Sequence, residues 1–134
     1  MRESDLCLFE EIEAAGGQVV LDATTTGERN LPPPFALDAV NEPPLDVLLN
    51  AYLRIPDAYQ RPNTGLYAYL RREFRGRGVR GAILRHYVWC DTWQIEAMRL
   101  EEATGLPVLR LDIGDEDDSA RQSGRIAAFL ETLQ

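Results

Sequence analysis

The sequence contains no lysine, so all 14 of its Lys-or-Arg cations are arginine, and it contains one histidine. The absence of lysine excludes a Schiff-base lysine and the lysine of a phosphate-binding P-loop. Two cysteines are too few for a disulfide framework or for an all-cysteine metal site. No apolar run approaches the ~20 residues of a membrane-spanning helix, and no signal-peptide pattern follows the N-terminus. We therefore expect a cytoplasmic protein with no membrane partner.

The balance of charge is acidic, with a formal net charge of −8. This value argues against nucleic acid as a partner, because binding to phosphate backbones needs a basic surface. A basic window nevertheless stands out between residues 71 and 85. A solvated helix face would account for it, and a patch for a phosphate-bearing ligand is the alternative, since guanidinium groups match phosphate geometry. The arginines of this window are Arg71, Arg72, Arg75, Arg77, Arg80 and Arg85.

Helical and strand patterns alternate along the 134 residues, which we expect to form a single domain over 1–134. Helices are predicted over residues 4–15, 45–53, from 62 to about 76, from 92 to about 104 and from 119 onward, and strands over 18–22, 81–87 and 108–113. Strands separated by helices predict an α/β fold: a three-layer, Rossmann-like domain with a mostly parallel sheet of three to four strands flanked by helices. A preceding strand is expected outside this sequence, and the bare sheet edge would favour a homodimer.

Cys90 lies where the predicted strand 81–87 gives way to a predicted helix. In open α/β sheets, ligands bind outside the carboxyl ends of the strands. The positive end of a helix favours the thiolate, which is the form that binds metal or attacks an electrophile. Arg85 and His86 precede this point and are candidate polar groups of a pocket. An inert thiol that packs as a small hydrophobe is the alternative.

A hydroxyl-rich loop, Thr24, Thr25 and Thr26, follows the predicted strand 18–22. Ordinary turn formation would explain these residues. The alternative is that they line a pocket beside Cys90, because both segments follow the carboxyl ends of strands.

Two other features are predicted from local sequence. Asp91 and Gln94 fit a capping box at the start of the helix that follows Cys90, which gives Asp91 a structural role. The long proline-rich stretch 28–44 is predicted to be functional or a mobile cover, as long loops in compact domains usually are.

Several segments, taken in order, carry a resemblance to a known family. They are Phe9–Val20 with its glycine pair, Asp22–Arg29, Gly78–Asp91 with Cys90, Leu106–Leu109 with Asp112, and Arg125–Glu131. The set resembles the C-terminal portion of the 2-hydroxyacyl-CoA dehydratases, a family that includes the D-component of 2-hydroxyglutaryl-CoA dehydratase and subunits of benzoyl-CoA reductase. The resemblance implies an acyl-CoA thioester as substrate, a dehydratase partner subunit, and a [4Fe–4S] cluster held by three cysteines per subunit.

By this resemblance, Cys90 takes the position of the last cluster cysteine, and thiolate is the ligand that iron–sulfur clusters prefer. The other cluster cysteines belong to an upstream domain that this sequence lacks, and Cys7 matches neither of them. Thr25 stands where relatives often carry cysteine. The chain is therefore expected to be inactive by itself, as a fragment, a truncated product or a domain that works with another chain.

Two other functions remain open at this stage. The chain would be a non-catalytic α/β binding or assembly domain if it has kept the fold and lost the cluster. It would be a thiol enzyme if Cys90 is a nucleophile and His86 its base, which requires the two side chains to meet.

Overall fold

The computed structural model describes residues 3–32, 34, 43–114 and 119–134, and this part of the chain forms five α-helices and two β-strands. The elements are α1 (Glu3–Ala14), a short 3-10 helix (Glu28–Asn30), α2 (Pro44–Tyr52), α3 (Thr64–Arg77), β1 (Ala82–Tyr87), α4 (Asp91–Thr104), β2 (Val108–Ile113) and α5 (Ser119–Thr132). All five predicted helices are confirmed. None of these helices has the length and apolar character needed to cross a membrane. Most of the predicted cover 28–44 lies outside the described residues.

The two strands are parallel and are joined through α4. Ala82 lies opposite Val108 at the start of the ladder, and His86 lies opposite Asp112 near its end. Because parallel strands end at the same edge of a sheet, the residues after β1 and after β2 share that edge. The α/β fold with a parallel sheet is therefore confirmed, and Cys90 follows β1 at its carboxyl edge.

Helices cover both faces of the sheet, because successive side chains of a strand point to opposite faces. One face packs against α3 and α4, and its cluster contains Leu66, Leu70, Phe74, Leu100, Ala82, Leu84 and Val108. The other face packs against α1 and α5, and its cluster contains Ile12, Leu111, Ile126, Ile83 and Leu109. The strands thus divide the apolar core into two parts, one on each side of the sheet.

The segment 18–22, which was predicted to be a strand, forms none, and the sheet of the described residues has two strands instead of three or four. Its backbone carbonyls accept hydrogen bonds from an arginine side chain and from the backbone of a turn. The Val20 carbonyl accepts a hydrogen bond from Arg77 Nη1 at 2.9 Å. The Asp22 carbonyl accepts one from the Glu28 N–H at 2.8 Å. A Rossmann-like sheet needs further strands, and that part of the fold stays a prediction.

Two arginines of the basic window are engaged in ion pairs on and beside α3. Arg72 and Arg77 both pair with Glu73, and Arg77 also pairs with Glu28 at 2.6 Å. Hydrogen bonds from these arginines lower the pKa of both carboxyls below the usual value. These contacts favour the solvated helix face over a phosphate patch, since the guanidinium groups already have carboxylate partners.

Candidate functional site around Cys90

Cys90 is the N-cap residue of α4. Its N–H donates to the Tyr87 carbonyl at 2.9 Å, and its own carbonyl accepts from the Gln94 N–H at 3.0 Å. The side chain is half-buried and its thiol is free. The sulfur therefore lies at the positive end of a helix, where unpaired N–H groups favour a negative charge. The placement at a strand-to-helix junction is as predicted.

The predicted capping box is wrong. Asp91 is the first residue of the helix and not its N-cap, and the side chain at the cap position makes no capping hydrogen bond to the first turn. The Gln94 side chain donates instead to the Val88 carbonyl in the turn before the helix. The reason is that Cys90 occupies the cap position, one residue earlier than expected. Asp91 then contributes through its charge in the first turn.

Tyr59 is the side-chain partner of Cys90. Its hydroxyl lies 3.5 Å from the Cys90 sulfur, and the tyrosine itself is 65% exposed. The hydrogen bond with Cys90 raises the pKa of the Tyr59 hydroxyl above its usual value. Tyr59 belongs to the irregular segment between α2 and α3, and residues 55–61 of this segment are called the strap below.

Arg29 ties three segments together and is 2% exposed. Its Nε donates to the Ala23 carbonyl at 2.9 Å, and its Nη1 donates to the Pro56 carbonyl and to Asp57 Oδ2, each at 2.7 Å. The guanidinium carbon lies 5.6 Å from the centre of the Trp93 ring in α4. Arg29 thus connects the threonine loop, the strap and α4, the helix that Cys90 caps.

The threonine loop is held by turn contacts and by Arg29. The Thr24 N–H donates to Asp22 Oδ1 at 3.0 Å, and the hydroxyls of Thr24 and Thr26 lie 3.5 Å apart. Thr25 and Thr26 are exposed, and Thr24 is half-buried. Since Arg29 binds both Ala23 and the strap, the structure brings the threonine loop into the neighbourhood of the strap.

His86 is 4% exposed and its contacts lie at the sheet edge. Its Nδ1 is 3.0 Å from the Tyr87 carbonyl. Its Nε2 is 3.2 Å from Asp112 Oδ1, without the alignment of a hydrogen bond. Arg85 is half-buried and, as the preceding strand residue, points to the opposite face of the sheet. The contacts of His86 are within the strand pair and those of Cys90 are with the strap, so the two are not partners in the described structure.

A buried carboxylate, Glu96, lies on α4 and is 1% exposed. The Tyr67 hydroxyl donates to Glu96 Oε2. Arg61 Nη2 lies 3.6 Å from Glu96 Oε1, which has no hydrogen bond of its own. Burial, together with the hydrogen bond to Glu96, raises the pKa of Tyr67 to about 12. Because Arg61 is the last residue of the strap, this ion pair is a second attachment of the strap to α4.

Stability is expected to fall at alkaline pH through Tyr67. Between pH 10.0 and about 12 the unfolded chain has lost the Tyr67 proton and the folded chain keeps it, so unfolding becomes more favourable as the pH rises. After allowance for partial exposure, the loss is about 1 kcal/mol. In urea unfolding across this pH range, the free energy of unfolding should decline less steeply with pH for Tyr67→Phe than for the wild type. Tyr52→Phe, at an exposed tyrosine, is the control, and equal slopes for the two variants would contradict the expectation.

A family model described as 2-hydroxyglutaryl-CoA dehydratase, D-component, matches residues 2–133. The chain belongs to this family. The match confirms the resemblance drawn from the sequence and covers nearly the whole chain. A comparison with curated proteins gave no significant match.

A complete iron–sulfur cluster does not fit this dehydratase-family chain by itself. No group of three histidine, cysteine, aspartate or glutamate side chains that could hold a metal occurs among the described residues. The second cysteine, Cys7, is exposed on α1, which packs on the other face of the sheet from α4. The site around Cys90 therefore offers one cysteine sulfur.

Sequence reasoning missed Arg29, Tyr59 and Glu96. Their contacts join residues that are far apart in sequence, and no periodic pattern marks them. One signal was present for Arg29, since it ends the segment Asp22–Arg29 that carries the family resemblance.

Proposed function

We propose that this chain is the Cys90-bearing domain of a 2-hydroxyacyl-CoA dehydratase assembly. In this proposal the Cys90 thiolate is one ligand of a [4Fe–4S] cluster. The single observation that carries it is the free, half-buried thiol at the N-cap of α4, in a chain that the D-component family matches over residues 2–133. Soft thiolate ligands at a site of positive potential suit iron–sulfur chemistry.

The remaining ligands come from another polypeptide in this proposal, because Cys7 lies on α1, on the far side of the sheet from α4. A dehydratase partner subunit fits this role, since the family name describes one component of an enzyme. A second copy of the chain is the other candidate. The assembly would act in the cytoplasm, where both thiols stay reduced.

The proposed substrate is a 2-hydroxyacyl-CoA thioester, which the assembly would dehydrate. The threonine loop supports this part of the proposal, because it presents Thr25 and Thr26 on the surface and is linked to the strap beside Cys90. In this proposal His86 and Arg85, near the end of β1, are further candidate residues of the substrate pocket. The chain without its partner is expected to show no turnover.

The test is the iron and sulfide content of the chain after anaerobic reconstitution, alone and together with a cysteine-bearing dehydratase subunit, and size-exclusion chromatography. We expect iron–sulfur absorbance to elute with the wild type and to be lost in Cys90→Ser. Cys7→Ser is the matched control, since it removes the other thiol at an exposed position away from the site, and it should keep the absorbance. Equal iron in wild type and Cys90→Ser would refute the role of Cys90 as a ligand.

A non-catalytic binding or assembly domain is the second candidate. The observation that favours it is that the site presents one cysteine and that the described residues form no metal-ligating group. This function would be supported if no Cys90-dependent iron is found even when a cysteine-bearing dehydratase subunit is present during reconstitution.

A further inference from the structure

The strap is fastened to α4 at two points that flank Tyr59. On one side Asp57 is bound by Arg29, whose guanidinium lies over Trp93 of α4. On the other side Arg61 pairs with Glu96 of α4. Both attachments end on α4, the helix that Cys90 caps, and Tyr59 lies midway between Asp57 and Arg61 in sequence.

The backbone of the strap is also fixed between these two points. The Tyr59 N–H donates to Asp57 Oδ1 at 3.0 Å. Ala58 is fully buried in the core cluster against α3 and α4. Gln60 Nε2 donates to the Ile55 carbonyl at 2.8 Å. An exposed tyrosine ring is therefore carried on a backbone with little freedom, and its hydroxyl reaches the Cys90 sulfur.

We propose that the strap is a positioning device for Cys90, in which Arg29–Asp57 and Arg61–Glu96 hold the Tyr59 hydroxyl against the half-buried sulfur. The inference rests on the proposed role of Cys90 as a ligand and adds Tyr59 to it as a positioning residue. Sites that must meet a ligand in one geometry need side chains held by a second set of contacts. The two ion pairs supply that set here.

A purely structural role for the strap makes a different prediction. If the ion pairs only stabilise the fold, loosening them lowers stability and leaves the surroundings of the sulfur unchanged in the folded molecules. If they position Tyr59, loosening either pair uncovers the sulfur, even though neither Asp57 nor Arg61 is its hydrogen-bond partner.

The experiment measures the access of thiol reagents to Cys90 in a Cys7→Ser background. Rates of reaction with N-ethylmaleimide and with the bulkier fluorescein maleimide are measured on the folded chain. The ratio of the two rates is then compared between each variant and the parent. Both reagents attack the same thiolate, so the ratio reports access and not ionisation. We expect Tyr59→Ala, Asp57→Ala and Arg61→Ala each to raise the relative rate of the bulky reagent by about three- to tenfold, the factor for an ordinary hydrogen-bond contact.

Arg77→Ala is the matched control, because it removes ion pairs with Glu28 and Glu73 without touching the strap. Its ratio should stay within about twofold of the parent, as for an exposed pair. Arg61→Ala keeps the measurement decisive if Asp57→Ala fails to fold, since the Arg61 side chain is half exposed. An unchanged ratio in Tyr59→Ala, or a change there with none in Arg61→Ala, would overturn the proposal. The labelling uses no iron, so it distinguishes failure of the strap proposal from failure of the proposed iron–sulfur role of Cys90.

Discussion

Replacing Arg29 with methionine is expected to lower the free energy of unfolding by about 3–5 kcal/mol, because it leaves a carboxylate and two carbonyls without their shared donor. Arg29 is 2% exposed, and its guanidinium binds the Ala23 and Pro56 carbonyls and Asp57. A domain of this size has a stability of roughly 5–15 kcal/mol, so this loss would be a large part of it. Urea unfolding followed by circular dichroism measures the effect.

The control for Arg29 is Arg77→Met, which removes an arginine bound to the same 3-10 helix at Glu28. Arg77 is partly exposed and its pairs are solvated, so we expect a loss several-fold smaller than for Arg29→Met. Equal losses in the two variants would contradict the central role given to Arg29. Asp57→Asn in the Arg29→Met chain should then cost less than in the wild type, since the pair is already broken.

The second large effect is expected from Leu111→Ala, with a loss of about 3–5 kcal/mol from a cavity in the core. Leu111 is 0% exposed and packs with Ile12 of α1 and Ile126 of α5. Because Leu111 packs against a residue of each helix, its truncation weakens the attachment of both helices to the sheet. The same urea titration measures it.

Leu53→Ala provides the matched control, because the same atoms are removed from a leucine that is 71% exposed. We expect a loss below about 0.5 kcal/mol, as for surface substitutions in general. If Leu111→Ala were as mild as this control, the cluster between the sheet and the α1–α5 pair would not be a packed core.

Much of the fold was predictable because local signals mark it. Gly78 and Gly105 end α3 and α4 in the left-handed conformation, which glycine adopts without strain, so the sequence itself marks both helix ends. The segment 18–22 was mispredicted because a short β-branched run has the composition of a strand, whereas its pairing depends on the rest of the molecule. Here its backbone bonds to Arg77 and to the turn at Glu28 instead.

The candidate site was only partly predictable. The position of Cys90 followed from the order of strand and helix, which is a local property. Its partner Tyr59 and the arginine that holds the strap are contacts across long sequence separations, and they depend on which loops the fold brings together. The role of His86 as a base for Cys90 gains no support from its contacts, because a strand residue and a residue beyond a turn need not face each other.

The spacing of Asp57, Tyr59 and Arg61 also restricts insertions and deletions within the strap. Surface loops generally tolerate insertions and deletions, since closing a slightly longer loop costs little. The strap is different, because its two ion pairs and its contact with Cys90 depend on one spacing. One residue added or removed between Asp57 and Arg61 would leave at most one ion pair in place and turn Tyr59 away from the sulfur. The strap is therefore a surface segment whose length is constrained as tightly as that of a core strand.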